Sequence, residues 1–242
     1  MNTNNAIAFL TINPSNTLIR FGEDLHDKHG SDVYIFIDND AYVEPASDKI
    51  KFMKIAKEEC INNCMYNSSK TSIDTSVTSW DKALYFFAYV NTSYDNVWFI
   101  EHDVLVTSVD TLRYLDILYS DSDLICTKNM ECNSPDDNSW FWYHAFEHFE
   151  APVYSSMVCA CRLSNKLIEI VKNHAASVGR LLYIEFMLNT LAMKNGLKVS
   201  CPQELSTISW NQIWSLNAFQ NNKMNLFHPV KNVNNHELYR NL

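Results

Sequence analysis

The stretch Asn96-Val97-Trp98-Phe99-Ile100-Glu101-His102-Asp103-Val104-Leu105-Val106 interrupts an apolar run with an acid, an imidazole and a second acid. A short continuous apolar run rich in β-branched and aromatic residues reads as a strand buried on both faces, as inside a parallel sheet. In open α/β sheets ligands collect outside the carboxyl ends of the strands, so Glu101 and Asp103 are expected at the mouth of a binding crevice. Side chains alternate along a strand, and residues two apart then face one ligand together. Mg²⁺ or Mn²⁺ takes such oxygen donors, usually one or two carboxylates completed by substrate phosphates. A strand end that merely opens onto a solvated loop carries the same residues, so the elements around it have to decide.

Upstream, Ala6 to Ile12 reads as a first buried strand, and Asn13-Pro14-Ser15-Asn16 stops it and caps a helix running to about Lys28. After the His29-Gly30-Ser31 loop, Asp32 to Ile37 is a second strand that also ends in acids, Asp38-Asn39-Asp40. Strand, helix, strand in this order is a parallel crossover and sets the fold class as α/β with a mostly parallel sheet flanked by helices. A short helix is expected around Lys49 to Cys60, a polar surface loop from Asn62 to Thr78, and a capped helix from Ser79 to Val90. Downstream, the pattern predicts an amphipathic helix over Ser108 to Tyr119 and a short strand over Asp123 to Thr127. A turn-rich loop, Asn133 to Asn138, leads into the aromatic cluster Trp140-Phe141-Trp142-Tyr143-His144. Val153 to Arg162 reads as one further strand, Ser164 to His174 and Leu182 to Lys194 as helices, the second closed by Asn195-Gly196. The tail from Ser209 to Leu242 is polar, with Leu226 to Lys231 as its apolar anchor. No internal repeat emerges, and residues 1–242 are expected to form a single domain.

A chain of 242 residues, 47% hydrophobic and 13% aromatic, is long enough to bury a substantial core. Its formal net charge of -9 argues against sequence-independent nucleic-acid binding, which needs a surplus of Lys and Arg. The seven cysteines include no pair at zinc-site spacing, and reduced, mostly structural thiols are expected; Cys60 and Cys64, one helical turn apart, are the pair spaced to be partners. Ala6 to Ile12 is too short and lacks the basic flank of a signal peptide, and no apolar run would span a bilayer, so a cytoplasmic protein is expected. On that expectation the acceptor sequons at Asn67 and Asn91 are coincidental. With 4 Gly there is neither a phosphate-binding P-loop nor a GxGxxG turn.

Taken together, strands ending in Thr11 and Asp38-Asn39-Asp40, a helix opening Trp80-Asp81-Lys82, a strand running into Glu101-His102-Asp103, Glu185 on a later helix and a late His228-Pro229-Val230-Lys231 resemble the nucleotide-sugar-dependent glycosyltransferases of the GT-A fold. The resemblance covers nearly the whole chain as an order of elements. In size and lack of an anchor the chain is similar to the small glycosyltransferases of large DNA viruses of algae, which glycosylate capsid proteins and would act in the host cytoplasm. The resemblance implies a Rossmann-like sheet whose residues 1–106 bind nucleotide and whose residues 107–242 supply the acceptor half and tail. It implies transfer of a hexosyl or pentosyl group from a nucleoside diphosphate sugar, UDP more than GDP, to a glycan or glycoprotein, with Mn²⁺ or Mg²⁺. Glu101-His102-Asp103 matches the family's acidic metal motif, with Asp103 the direct ligand. The usual first residue there is Asp, which leaves Glu101 between a metal role and a ribose or water contact. His228 falls where a second metal ligand stands, and Lys231 would neutralise a phosphate oxygen, both on a tail that closes when nucleotide is present. Thr11, Asp38 and Asp40 would contact base or ribose, and Lys82 a phosphate. Glu185, in the apolar setting Leu181-Leu182-Tyr183-Ile184-Glu185-Phe186, is expected to have a raised pKa suited to a general base. Trp140, Trp142 and Tyr143 offer flat faces to the C–H faces of an acceptor sugar.

Two other readings compete. His144-Ala145-Phe146-Glu147-His148 satisfies the HxxEH pattern of inverted zinc peptidases, although Pro152 leaves little helix behind it and the third ligand is only a guess such as Glu204. A carbohydrate-binding module would keep the aromatic cluster and have no need of Asp103 or Glu185.

Overall fold

The structure, a computed structural model, describes residues 4–242. Strand β1 (Asn5–Thr11) is buried from Ala6 onward because it lies inside the main sheet, paired in parallel on both sides. Helix α1 (Asn16–His29) starts where the Ser15 hydroxyl accepts the Leu18 N–H at 3.1 Å, and stops at Gly30, whose φ of 63° lets its N–H reach the His26 carbonyl. Strand β2 (Asp32–Ile37) follows in parallel beside β1. The expected helix at 49–60 is instead a strand, β3 (Ile50–Met53), followed by a short helix, α2 (Lys57–Asn62). The open edge of β2 decides this. Ile50 turns into the core while Lys51 crosses to Asp32 at 2.6 Å, an alternation that suits a strand.

Helix α3 (Ser79–Tyr85) is entered through a reciprocal capping box between Thr78 and Asp81, and continues as a π-helical turn, Phe86–Val90. Strand β4 (Asn96–Glu101) then runs parallel beside β1. The strand ends at Glu101, where Val104 N–H bonds back to the Glu101 carbonyl at 3.0 Å in a tight turn through His102-Asp103. Past the turn, β5 (Leu105–Val106) leaves the main sheet. Helix α4 (Asp110–Leu118), β6 (Leu124–Ile125), β7 (Met130–Cys132) and α5 (Trp142–Phe146) come next. The strand expected over Val153–Arg162 is two: β8 (Val153–Ser155) pairs with β7, whereas β9 (Ala160–Ser164) inserts antiparallel between β4 and β6. Changing sheets requires the break at 156–159. Helices α6 (Asn165–Val178) and α7 (Ile184–Lys194) follow, then β10 (Val199–Ser200), α8 (Leu216–Asn221), β11 (Leu226–Phe227) and α9 (His236–Arg240).

The seven-stranded sheet has the order β10-β6-β9-β4-β1-β2-β3, parallel except for β9. On one face Ala8, Leu10, Phe36 and Phe99 pack against Leu84 of α3, Leu167 of α6 and Leu188 of α7. On the other, Phe9, Ile35 and Ile100 meet Phe21 of α1 and Leu112 of α4. That second face also buries Arg162 of β9 completely; its guanidinium bonds Asp116 at 2.9 Å and the carbonyls of Tyr119 and Ser122.

The tail is docked. Strand β11 pairs antiparallel with β5, and Val230 N–H bonds the Asp103 carbonyl at 2.8 Å. A small apolar cluster of Leu105, Phe219, Phe227 and Val230, backed by Trp214, holds it there. Among the described residues no helix is long and apolar enough to cross a membrane, and all seven cysteines are free.

Candidate active site

Three strand ends open on one side of the sheet. At the first two, Asp38 N–H donates to the Thr11 carbonyl at 3.0 Å, joining the ends of β1 and β2. The Thr11 hydroxyl and one Asp38 carboxylate oxygen are buried there without a hydrogen-bond partner. Lys82 reaches over from α3, donates to the Ile37 carbonyl at 2.9 Å and stands 3.7 Å from Asp38 and 3.9 Å from the exposed Asp40. Burial pushes the Asp38 carboxyl up, against the lowering pull of the Ser79 backbone and the Lys82 charge. Lys82 is thus enclosed among acids rather than free in the crevice.

At the end of β4, on either side of the tight turn, Glu101 and Asp103 each lie near His228. Asp103 Oδ2 receives the Lys231 ammonium and lies 3.5 Å from His228 Nε2. Burial pushes the Asp103 carboxyl up, but His228 and Lys231 together outweigh it and hold it well below the usual carboxylate range. His228 Nδ1 lies 2.8 Å from the Ser209 carbonyl, which can only accept, so Nδ1 carries the proton and Nε2 faces the carboxylates. Burial works to lower the His228 pKa, and Asp103, with the Ser209 carbonyl and the Glu101 charge, more than reverses it. Glu101 is oriented by the indole of Trp80, whose Nε1–H donates to it at 2.8 Å while the ring stacks on Phe99. Donor atoms of Glu101, Cys159 and His228 all lie within 4.8 Å of one another, the geometry of a metal-holding group.

Glu185 enters from the first turn of α7. Burial raises its carboxyl to about 7; a bond from Tyr183 opposes this and the Glu101 charge adds to it. Its backbone carbonyl accepts the Ser156 N–H at 2.9 Å, tying α7 to the segment that carries Cys159. Tyr183 in turn stacks against Trp140, with ring centroids 6.3 Å apart, and lines a cavity of about 270 Å³ with Phe141 and residues 69–72. The aromatic cluster divides. Trp140 is half-buried beside this cavity and Tyr143 is exposed, but Trp142 is 3% exposed and packed in the core with its Nε1–H on Ser139, so it has no face for an acceptor. Two larger hollows, about 510 and 550 Å³, lie away from the carboxylates, one at the amino ends of the strands and one along α1 and α9.

The HxxEH residues are placed poorly for zinc. His144 and Glu147 approach at 3.6 Å, but His148 follows the end of α5 with the Arg180 guanidinium 3.5 Å from its Nε2. Burial and that cation lower its pKa. Among the described residues the three-donor group is Glu101, Cys159 and His228, with no member from 144–148.

Cys159, Trp80 and Tyr183 were not singled out by the sequence. Cys159 reaches the site only because the chain breaks at 156–159, and Trp80 only because α3 crosses the end of β4. No periodicity encodes either.

This sheet, with one antiparallel strand inside a parallel set and its polar groups at the strand ends, matches the GT-A-like glycosyltransferase fold. The galactosyltransferase LgtC, solved in complex with donor and acceptor sugar analogues, is similar with a TM-score of 0.52 at 11% identity, over 98% of this chain and 95% of that one. An active-site mutant of LgtC gives 0.49 at 11% identity, over 93% and 85% of the two chains. No family model matches the sequence, and neither does any curated protein. At this identity the likeness establishes the fold.

Proposed function

We propose that the chain is a glycosyltransferase that moves a hexosyl or pentosyl group from a UDP-linked sugar to a hydroxyl of a glycan or glycoprotein, with Mn²⁺ or Mg²⁺ as cofactor. One observation carries this reading. Lys231, 128 residues after Asp103, returns with His228 to the carboxylates at the end of β4, on a sheet of GT-A-like architecture. The likeness to small viral transferases and a cytoplasmic site of action belong to the same proposal.

The donor set fits a divalent cation: donor atoms of Glu101, Cys159 and His228 lie within 4.8 Å of one another, beside an Asp103 carboxylate that faces His228 and Lys231. Such an ion, when bound, stabilises the negative charge that grows on a departing diphosphate. The chain's own groups do the rest. Thr11 and Asp38 present buried, unpartnered oxygens that hydroxyls of a ribose would satisfy, and Asp40 lies open beside them. Lys231, whose side chain is 77% exposed, can reach a phosphate oxygen. Glu185, ionised, takes the proton of the acceptor hydroxyl as it attacks the anomeric carbon. Trp140 and Tyr143 offer ring faces to the acceptor.

The test is thermal denaturation with UDP or GDP, with and without Mn²⁺. A nucleotide at about a hundred times its Kd should stabilise the fold by about 2.7 kcal/mol. The expected result is stabilisation by UDP that requires Mn²⁺ and disappears in Asp103→Asn. That variant should keep its far-ultraviolet circular dichroism and lose roughly 10²-fold or more in turnover. Unchanged turnover would remove Asp103 from the reaction. Stabilisation by free oligosaccharide alone would point to a binding module.

A further inference from the structure

The donor group at the end of β4 is not all oxygen. Cys159 Sγ stands within 4.8 Å of both the Glu101 carboxylate and a ring nitrogen of His228. The Cys159 backbone is held beside β4, because Glu101 N–H is bonded to its carbonyl at 2.8 Å, and the residue is buried at 9% exposure. The other two donors are equally fixed. Trp80 holds one oxygen of Glu101, and the Ser209 carbonyl holds Nδ1 of His228, so that Nε2 points inward. One carboxylate, one imidazole and one sulfur is the donor chemistry of Zn²⁺ and Co²⁺, whereas Mg²⁺ and Mn²⁺ are suited by oxygen donors. Metal bonds of about 2.0–2.3 Å to these three types of atom bring them together on one centre with only a small closure of the group.

We infer that this site takes a thiophilic divalent cation of the zinc class, with Cys159 Sγ as a direct ligand beside Glu101 and His228. The inference rests on the metal-dependent reading above and revises which ion fills it. On binding, a sulfur–metal bond replaces the S–H bond and the proton passes to solvent; nothing is oxidised. Asp103, already facing His228 and Lys231, is left to partner the tail.

The experiment is titration of the metal-free chain with Co²⁺, followed by absorption and by Tm. A thiolate-to-cobalt charge-transfer band in the near ultraviolet, saturating at one Co²⁺ per chain, is expected. Zn²⁺ should abolish it, and Mg²⁺ in about hundredfold excess should not. Cys159→Ser and Cys159→Ala should both lose the band; Cys201→Ser, which alters an exposed thiol, should keep it. A band that survives in both Cys159 variants overturns the inference. Co²⁺ that raises Tm without the band also overturns it, yet leaves the metal-dependent transferase standing on oxygen and nitrogen donors. No change in Tm with Co²⁺, Zn²⁺ or Mn²⁺ sinks both.

Discussion

Glu185 shows how a single side chain can tie stability to activity. Its carboxyl ionises at about 7 where an ordinary glutamate does so at 4.5, and burial is the main cause. Between those two values the folded chain holds a proton that the unfolded chain has released. Stability therefore falls as pH rises through this window, by about 1–3 kcal/mol once complete. Glu185→Gln removes the effect: denaturant titrations should show the variant gaining on the parent from pH 5 to pH 8. Turnover of the parent should rise with pH through about 7, and the variant should lose that limb; a slower enzyme with the same pH profile would make Glu185 a structural residue. The apolar sequence around it, Leu181 to Phe186, signals burial, so the raised pKa was legible. The place of Asp103 at a strand end was legible from the acids that interrupt the apolar run, whereas its pairing with His228 and Lys231 was not, because those residues come from the distant tail. Trp80 and Cys159 were not, since each acts through a neighbour brought in by another element.

Elements were readable where their signals are local. The start and stop of α1 follow from Ser15 and Gly30, and α6 begins at Ser164, whose hydroxyl accepts the Leu167 N–H. They were misread where a partner decides, as at β3, which exists because β2 has an edge to cover, and at 153–162, where two sheets compete for one apolar run. The tail belongs to this second kind. Expected to be loose, it is held by β11 and the cluster around Phe227, which is completely buried. Phe227→Ala should cost about 3–5 kcal/mol locally. Hydrogen exchange at the amides of Leu226, His228 and Val230 should accelerate while β1 and β4 stay protected, with affinity for UDP falling in parallel. Uniform acceleration across the sheet would mean that the tail is part of the global fold rather than a separate unit.

At the scale of the whole molecule the antiparallel β9 joins the first half of the sheet to β6 and β10, and Arg162 is its fixing point. A charge buried completely is tolerated here because Asp116 and two carbonyls answer it, and Trp98 Nε1–H shares the same Asp116 oxygen. Removing one partner of such a pair leaves the other uncompensated, so Arg162→Ala should destabilise by about 3–5 kcal/mol. Urea denaturation followed by tryptophan fluorescence and circular dichroism should show one shifted transition for both probes. Separate transitions would show that the strands on either side of β9 unfold independently. The overall architecture was visible from the order of strands and helices alone, and at 11% identity to LgtC that order carries the likeness.

The site is assembled from segments made at very different moments on the ribosome. Glu101 and Asp103 are synthesised 128 residues ahead of Lys231, a delay of roughly 6–25 s at ordinary elongation rates. A nascent chain can pair β1, β2 and β4 in that interval, but it lacks the His228 imidazole and the Lys231 ammonium that face Asp103. On the proposed reading the donor group is complete only once residues 228–231 have been made, and a product clipped ahead of His228 should keep the main sheet and lose its stabilisation by nucleotide and metal.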